Sequence, residues 1–133
     1  MGSEPPLFTI SGNGKQVRNV LHADDILKLY LTCAAYAEAI AGQAFNIGGG
    51  MENSLSLIEL FRLAPAHLDV RLAYETLPWR ASDQKVFVAD RSTIQAKLPW
   101  KPEVGAQQGI ASTIEWIQHS CVGHENQRTQ SLF

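Results

Sequence analysis

The sequence predicts an α/β fold of short strands and short helices with an incomplete sheet, and three observations carry that prediction. Segments of strand-like and helix-like apolar spacing alternate along the chain. Glycine and proline punctuate them at Gly12–Gly14, Gly42, Gly48–Gly50, Pro65 and Pro99. The strand candidates are few and scattered, which suits a sheet completed by more chain better than a self-contained one. An α+β arrangement is the alternative that the same alternation allows.

The elements follow in order. Leu7–Ile10 and Val17–Leu21 read as strands on either side of a Gly12-Asn13-Gly14 turn. Asp24 or Asp25 is the expected helix N-cap. Ile26, Leu27, Leu29, Tyr30, Cys33, Ala34, Ala37 and Ile40 then recur at helical spacing, with Gly42 as the closing residue. Ala44–Ile47 reads as a short strand running into three glycines. Ser56 and Glu59 have capping-box spacing, so a second helix is expected from there until Pro65 interrupts it. Val70–Tyr74 alternates as a strand does, and Val86–Ala89 is a further extended piece. Asp90 is placed to cap a short helix reaching Leu98. The last helix is expected over Ala106–His119, with Ile110, Thr113, Ile114 and Ile117 on one face, and Asn126–Ser131 as a loose polar tail. The aromatic residues of the helices read as core.

Composition bounds the function. At 133 residues the chain suits one domain, divided here as an N-terminal extension or expression remnant over 1–6, a folded portion over 7–120 and a polar tail over 121–133. Hydrophobic residues make up 45% and charged residues 18%, a globular balance. A net charge of −2 gives no whole-molecule attraction to nucleic acid or to an anionic membrane, so neither is expected as a partner. Cys33 and Cys121 fit incidental thiols of a reducing compartment better than a disulfide scaffold, and a cytoplasmic location is expected.

Local chemistry concentrates on two arginines. Arg18 lies on a strand beside a tight turn, where its planar fork can donate two parallel hydrogen bonds to one phosphate. Arg80 lies in a loop between Trp79 and Asp83. Each also reads as a solvated arginine, and Asp83 reads as an acceptor for sugar hydroxyls, as a partner for Arg80 or as the cap of a turn. Gly48–Gly50 lacks both the G-x-G-x-x-G spacing of dinucleotide binders and the Lys-Ser/Thr of a P-loop, which favours a plain strand-to-helix turn over a phosphate cradle. The four histidines make no metal-ligand spacing, and no tyrosine is followed four residues later by lysine. No catalytic, cofactor-binding or metal-binding residue is therefore expected within this sequence.

An ordered set of blocks adds a resemblance. Phe8–Arg18, Leu21–Asp25, Phe45–Gly50, Asn53–Phe61 and Leu77–Asp90 together resemble the C-terminal portion of the extended short-chain dehydrogenase/reductase family, a Rossmann-type fold, in its NAD-dependent nucleotide-sugar epimerases and dehydratases. No single block is decisive; the ordered set is specific and spans about residues 7–118. The resemblance implies that Arg18 and Arg80 contact the diphosphate of a CDP-sugar or another nucleotide-sugar, and that Asp83 binds a ribose hydroxyl. It gives Asp24 a structural role at the helix start. It also implies transient oxidation at C2 of the sugar by NAD and return of hydride to the opposite face, in a complete enzyme.

Ser82 stands where many relatives carry glycine, and Pro99 precedes Trp100 where glycine is common. Leu63–His67 is proline-broken where the family completes a longer helix. The N-terminal nucleotide-binding half of the family has no counterpart in this sequence. The expectation is thus a substrate-binding portion without turnover of its own, whose Phe45–Ile47 strand is an exposed edge open to self-association. The alternative is a non-catalytic module, derived from that family, that binds a nucleotide or a protein.

Overall fold

The computed structural model describes residues 7–64 and 73–129. Its α/β class is the expected one, and its sheets are small. Strand β1 (Leu7–Ser11) pairs in parallel with β4 (Ala73–Leu77), Phe8 opposite Tyr74. A second sheet has the order β3-β2-β5: β2 (Val17–Asn19) is central, antiparallel to β3 (Ser54–Ser56) and parallel to β5 (Val86–Phe87). The Gly12–Gly14 turn therefore makes no hairpin. It hands the chain from one sheet to the other.

Helix α1 (Ala23–Ala35) starts two residues earlier than a cap at Asp24 allows. Its N-cap is His22, in an extended conformation, whose Nδ1 accepts from the Asp24 backbone N–H at 3.2 Å. Neither aspartate caps, because Asp25 is drawn inward by partners far away in sequence. The expected single helix to Ile40 breaks at Tyr36 (φ −112°, ψ 24°), and α2 (Ala37–Ile40) follows. One turn before the break the Thr32 hydroxyl bonds back to the Lys28 carbonyl at 2.8 Å, a contact that competes with the helical ladder. Gly42, at φ 71°, supplies the left-handed step after the last turn.

The strand expected over Ala44–Ile47 is not formed. A strand needs a ladder, and among the described residues no segment pairs with it. Helix α3 (Leu57–Leu63) has the complete capping box, with Ser56 and Glu59 bonding each other's backbone N–H groups. It ends before Pro65, which lies outside the described residues, as do 70–72 of the strand expected over Val70–Tyr74. Helix α4 (Ser92–Lys97) is capped in effect by Asp90, whose Oδ1 accepts from Ser92 N–H at 2.8 Å and is held below the usual carboxylate range by that bond. The last helix, α5 (Ala106–Thr129), runs past the expected His119 into the polar stretch, where the helix propensities of Glu, Gln and Arg suit its continuation.

The core sits among α1, α4 and the start of the α5 approach. Leu29, Ile94, Leu98 and Trp100 are buried together, and Leu21, Cys33, Ile40 and Phe45 pack against them. Asp25, fully buried, ties this core to the loop before α5. Its two carboxylate oxygens accept from Glu103 N–H (3.1 Å) and Val104 N–H (3.0 Å), and its carbonyl accepts from Trp100 Nε1 (3.0 Å). The structural role expected of Asp24 thus belongs to Asp25. The helix aromatics depart from expectation as well: Tyr30, Tyr36 and Trp116 are exposed, as is Ile117. Among the described residues no helix is long and apolar enough to cross a membrane.

Candidate functional site

Both predicted arginines belong to the strand side of the molecule. Arg18 is the middle residue of β2, directly opposite Leu55 of β3 and Phe87 of β5, so these three share one face of the sheet. Its guanidinium is half-buried, and Nη1 donates to the neighbouring Val17 carbonyl at 2.8 Å. Arg80 and Asp83 sit in the 78–85 loop that joins β4 to β5. Asp83 N–H donates to Arg80 C=O at 3.1 Å, closing a turn through the backbone. Of the readings of Asp83, an ion pair with Arg80 is not what forms, while the residue does lie in a turn. Among the described residues neither arginine nor Asp83 enters an ion pair.

The backbone brings this loop to Arg18. Where the loop begins, Gly12 N–H donates to Leu77 C=O (2.8 Å), and the Trp79 indole lies across Gly12. A Cβ at Gly12 would stand 2.5–2.7 Å from three indole atoms, and φ there is 81°, so only glycine suits the position. At its far end, Val17 N–H donates to Lys85 C=O at 2.9 Å, one residue before Arg18. Gly14, on the other side of the turn, accepts from Ile58 N–H at 3.1 Å and packs on that side chain. Both ends of the Arg80 loop are thus fastened to the segment that delivers Arg18. The sequence carried a signal for this, a glycine turn and a lone loop tryptophan, but not their contact.

The glycine run is used for packing. A Cβ at Gly49 would meet the Val20 carbonyl oxygen at 1.8 Å, and one at Gly48 would meet Asn19 Nδ2 at 1.8 Å. The run leads from an unpaired segment into a single turn of 3-10 helix (Met51–Asn53), rather than from a strand to a helix. Asn19, Val20 and the Arg91 guanidinium pack closely against these three positions. Arg91 pairs with Glu52 and holds that carboxyl below its ordinary range. Asn53, buried, bonds Gly49 C=O through Nδ2 and caps α5 by accepting from Ala106 N–H at 2.8 Å.

An apolar cleft of ≈ 380 Å³ lies between α3 and α5, with Phe61, Ile110 and Ile114 among its walls. Arg18, Arg80 and Asp83 are not among them. His22 borders it, and its Nε2 meets Ser112 Oγ at 3.2 Å. Because His22 Nδ1 accepts a backbone N–H, Nε2 carries the proton, and the Ser112 hydroxyl donates to Gly109 C=O. A serine bonded that way is no nucleophile. The contact joins the cap of α1 to α5.

No family model matches the chain. CDP-paratose 2-epimerase of Salmonella typhi is 50% identical over 109 residues, which is 82% of this chain and 32% of that protein. Among solved structures, MoeE5 in complex with UDP-glucose and NAD superposes with a TM-score of 0.76 at 26% identity, covering 86% of this chain and 38% of that one. UDP-glucose 4-epimerase of Thermotoga maritima, solved with UDP-glucose, superposes with a TM-score of 0.69 at 26% identity, covering 86% of this chain and 35% of its own. The chain spans about a third of the length of the curated relatives it matches. In sequence and in fold it is similar to the C-terminal part of CDP-paratose 2-epimerase, alongside epimerases of the short-chain dehydrogenase/reductase type.

Proposed function

We propose that this chain is the nucleotide-diphosphate-binding portion of an NAD-dependent nucleotide-sugar epimerase, cytoplasmic and acting on a CDP-sugar by inversion at C2. Arg18 and Arg80 clamp the diphosphate, and Asp83 accepts a hydrogen bond from a ribose hydroxyl. The observation that carries the reading is the double fastening of the Arg80 loop, at Gly12 and at Val17, to the strand bearing Arg18. Two arginines without ion-pair partners among the described residues, on segments joined by one backbone frame, suit an anion with two phosphates. The choice of CDP and of C2 rests on the 50% identity to CDP-paratose 2-epimerase. NAD supplies the hydride transfer in such enzymes, and no residue of this chain is assigned to it. The part played here is orientation: a firmly held diphosphate leaves the sugar free to present either face.

Calorimetric titration of the full chain with CDP tests this. Binding is expected, weakened about 10- to 100-fold by Arg18→Ala or by Arg80→Ala, as for loss of a charge-assisted hydrogen bond. CDP binding indifferent to both substitutions, or no binding at all, overturns it. A second reading, a non-catalytic module that binds protein, has one observation in its favour: Leu27, Tyr30 and Leu31 form an outward stripe on α1, 57–65% exposed. Concentration-dependent self-association in sedimentation, without CDP binding, would support it.

A further inference from the structure

We infer that Trp79 is a positioning residue for Arg80, acting through Gly12, an inference that rests on the diphosphate reading above. The 78–85 loop carries one large apolar side chain, and that side chain lies against Gly12, which has no Cβ to keep it away. Cδ2, Cε2 and Cζ2 of the indole occupy the space that a Cβ at Gly12 would need, so the ring packs where the glycine leaves room for it. Arg80 is the next residue. Its own guanidinium has no ion-pair partner among the described residues, and its surroundings are solvent. An arginine on an otherwise exposed loop loses much of its freedom when it binds an anion, and that loss subtracts from affinity. Fixing the preceding residue removes part of the loss in advance.

The contact also accounts for the φ of 81° at Gly12. A left-handed step there turns the chain out of β1 towards β2 and exposes a bare backbone surface beneath the indole. The same residue therefore sets where Arg18 begins and where Arg80 is held. Trp79 is 40% exposed, so the residue lies at the surface beside Arg80 rather than in the core.

A double-mutant cycle separates positioning from bulk stabilisation. In the full chain, Trp79→Ala is expected to weaken CDP binding about tenfold, and Trp79→Phe, which keeps a flat ring, to restore it to within about threefold. The pair Trp79→Ala/Arg80→Ala should bind no more weakly than Arg80→Ala, because the indole has nothing left to position. Limited trypsin cleavage after Arg80, without ligand, should be faster in Trp79→Ala and unchanged in Trp79→Phe. Unaltered CDP affinity in Trp79→Ala, or a loss that adds in full to that of Arg80→Ala, overturns this inference alone. Absence of CDP binding by the unsubstituted chain overturns the diphosphate reading and this inference with it. Equal cleavage rates overturn the anchoring itself.

Discussion

The surroundings of Asp25 and those of Arg18 and Arg80 treat charge in opposite ways. Asp25 is fully buried, both of its carboxylate oxygens are engaged by backbone N–H groups, and its carbonyl takes the Trp100 indole N–H. Nothing on it is left for a ligand. Arg18 is half-buried and satisfied by no more than a neighbouring carbonyl, and Arg80 is exposed without an ion pair among the described residues. A charge buried in a finished network holds a fold together, while a charge held in place without a partner is available for recognition. The chain keeps these two uses on separate sides, helical and stranded.

The largest effect should come from breaking the first side. Asp25→Ala removes acceptors from two part-buried N–H groups that hold the loop before α5, each worth up to about 1–2.5 kcal/mol when left unsatisfied. Urea unfolding should show a loss of about 2–5 kcal/mol, near the limit of what a domain of this size tolerates. Asp24→Ala, one residue away but exposed, should lose less than about 1 kcal/mol, the value of an acid in a first turn. Equal losses would show that the helix start, rather than the buried network, carries the stability.

That pair of aspartates also shows what was legible in the sequence. Ser56–Glu59 was legible because a capping box closes within four residues and no distant group competes for it. The Asp24/Asp25 cap was misplaced because the partners of Asp25 lie at Glu103 and Val104, far along the chain. The same limit explains Ala44–Ile47. Its apolar spacing is that of a strand, yet a ladder is a property of two segments. Tyr30 and Ile117 read as core by their periodicity but are exposed, because periodicity says which residues share a face and not what covers it. Arg18, Arg80 and Asp83 could be singled out by residue type and context. The frame joining them, Trp79 on Gly12 and Lys85 on Val17, is tertiary and was not readable.

An intermediate effect should come from α3, whose Gly14–Ile58 contact supports the turn on the stranded side. Ser56→Ala should cost about 1 kcal/mol, the usual value of an N-cap. The same box gives a pH signature. The Ser56 backbone N–H, then its hydroxyl, hold the Glu59 carboxyl below its ordinary value of 4.5. A depressed folded-state value means that the contribution is complete above about pH 4.5 and is lost as pH falls through the lower, folded value. Acid unfolding curves of the native chain and of Glu59→Gln, which removes the charge and keeps the shape, should therefore converge below that point. A constant gap down to low pH would show that the Glu59 half of the box contributes nothing.

The smallest effect expected on stability tests the comparison most directly. Arg18→Ala/Arg80→Ala deletes two cations but leaves no buried acceptor unsatisfied: the Val17 carbonyl lies on a strand, and Arg80 touches no acceptor among the described residues. Unfolding free energy should stay within about 0.5 kcal/mol of the native chain, as for surface substitutions away from special features. Net charge moves from −2 to −4, too small a change to unsettle a domain of 133 residues. Stability unchanged together with CDP binding lost would place the two arginines wholly on the recognition side. A loss of 2 kcal/mol or more, roughly that of a broken buried network, would instead make them part of the sheet's own architecture.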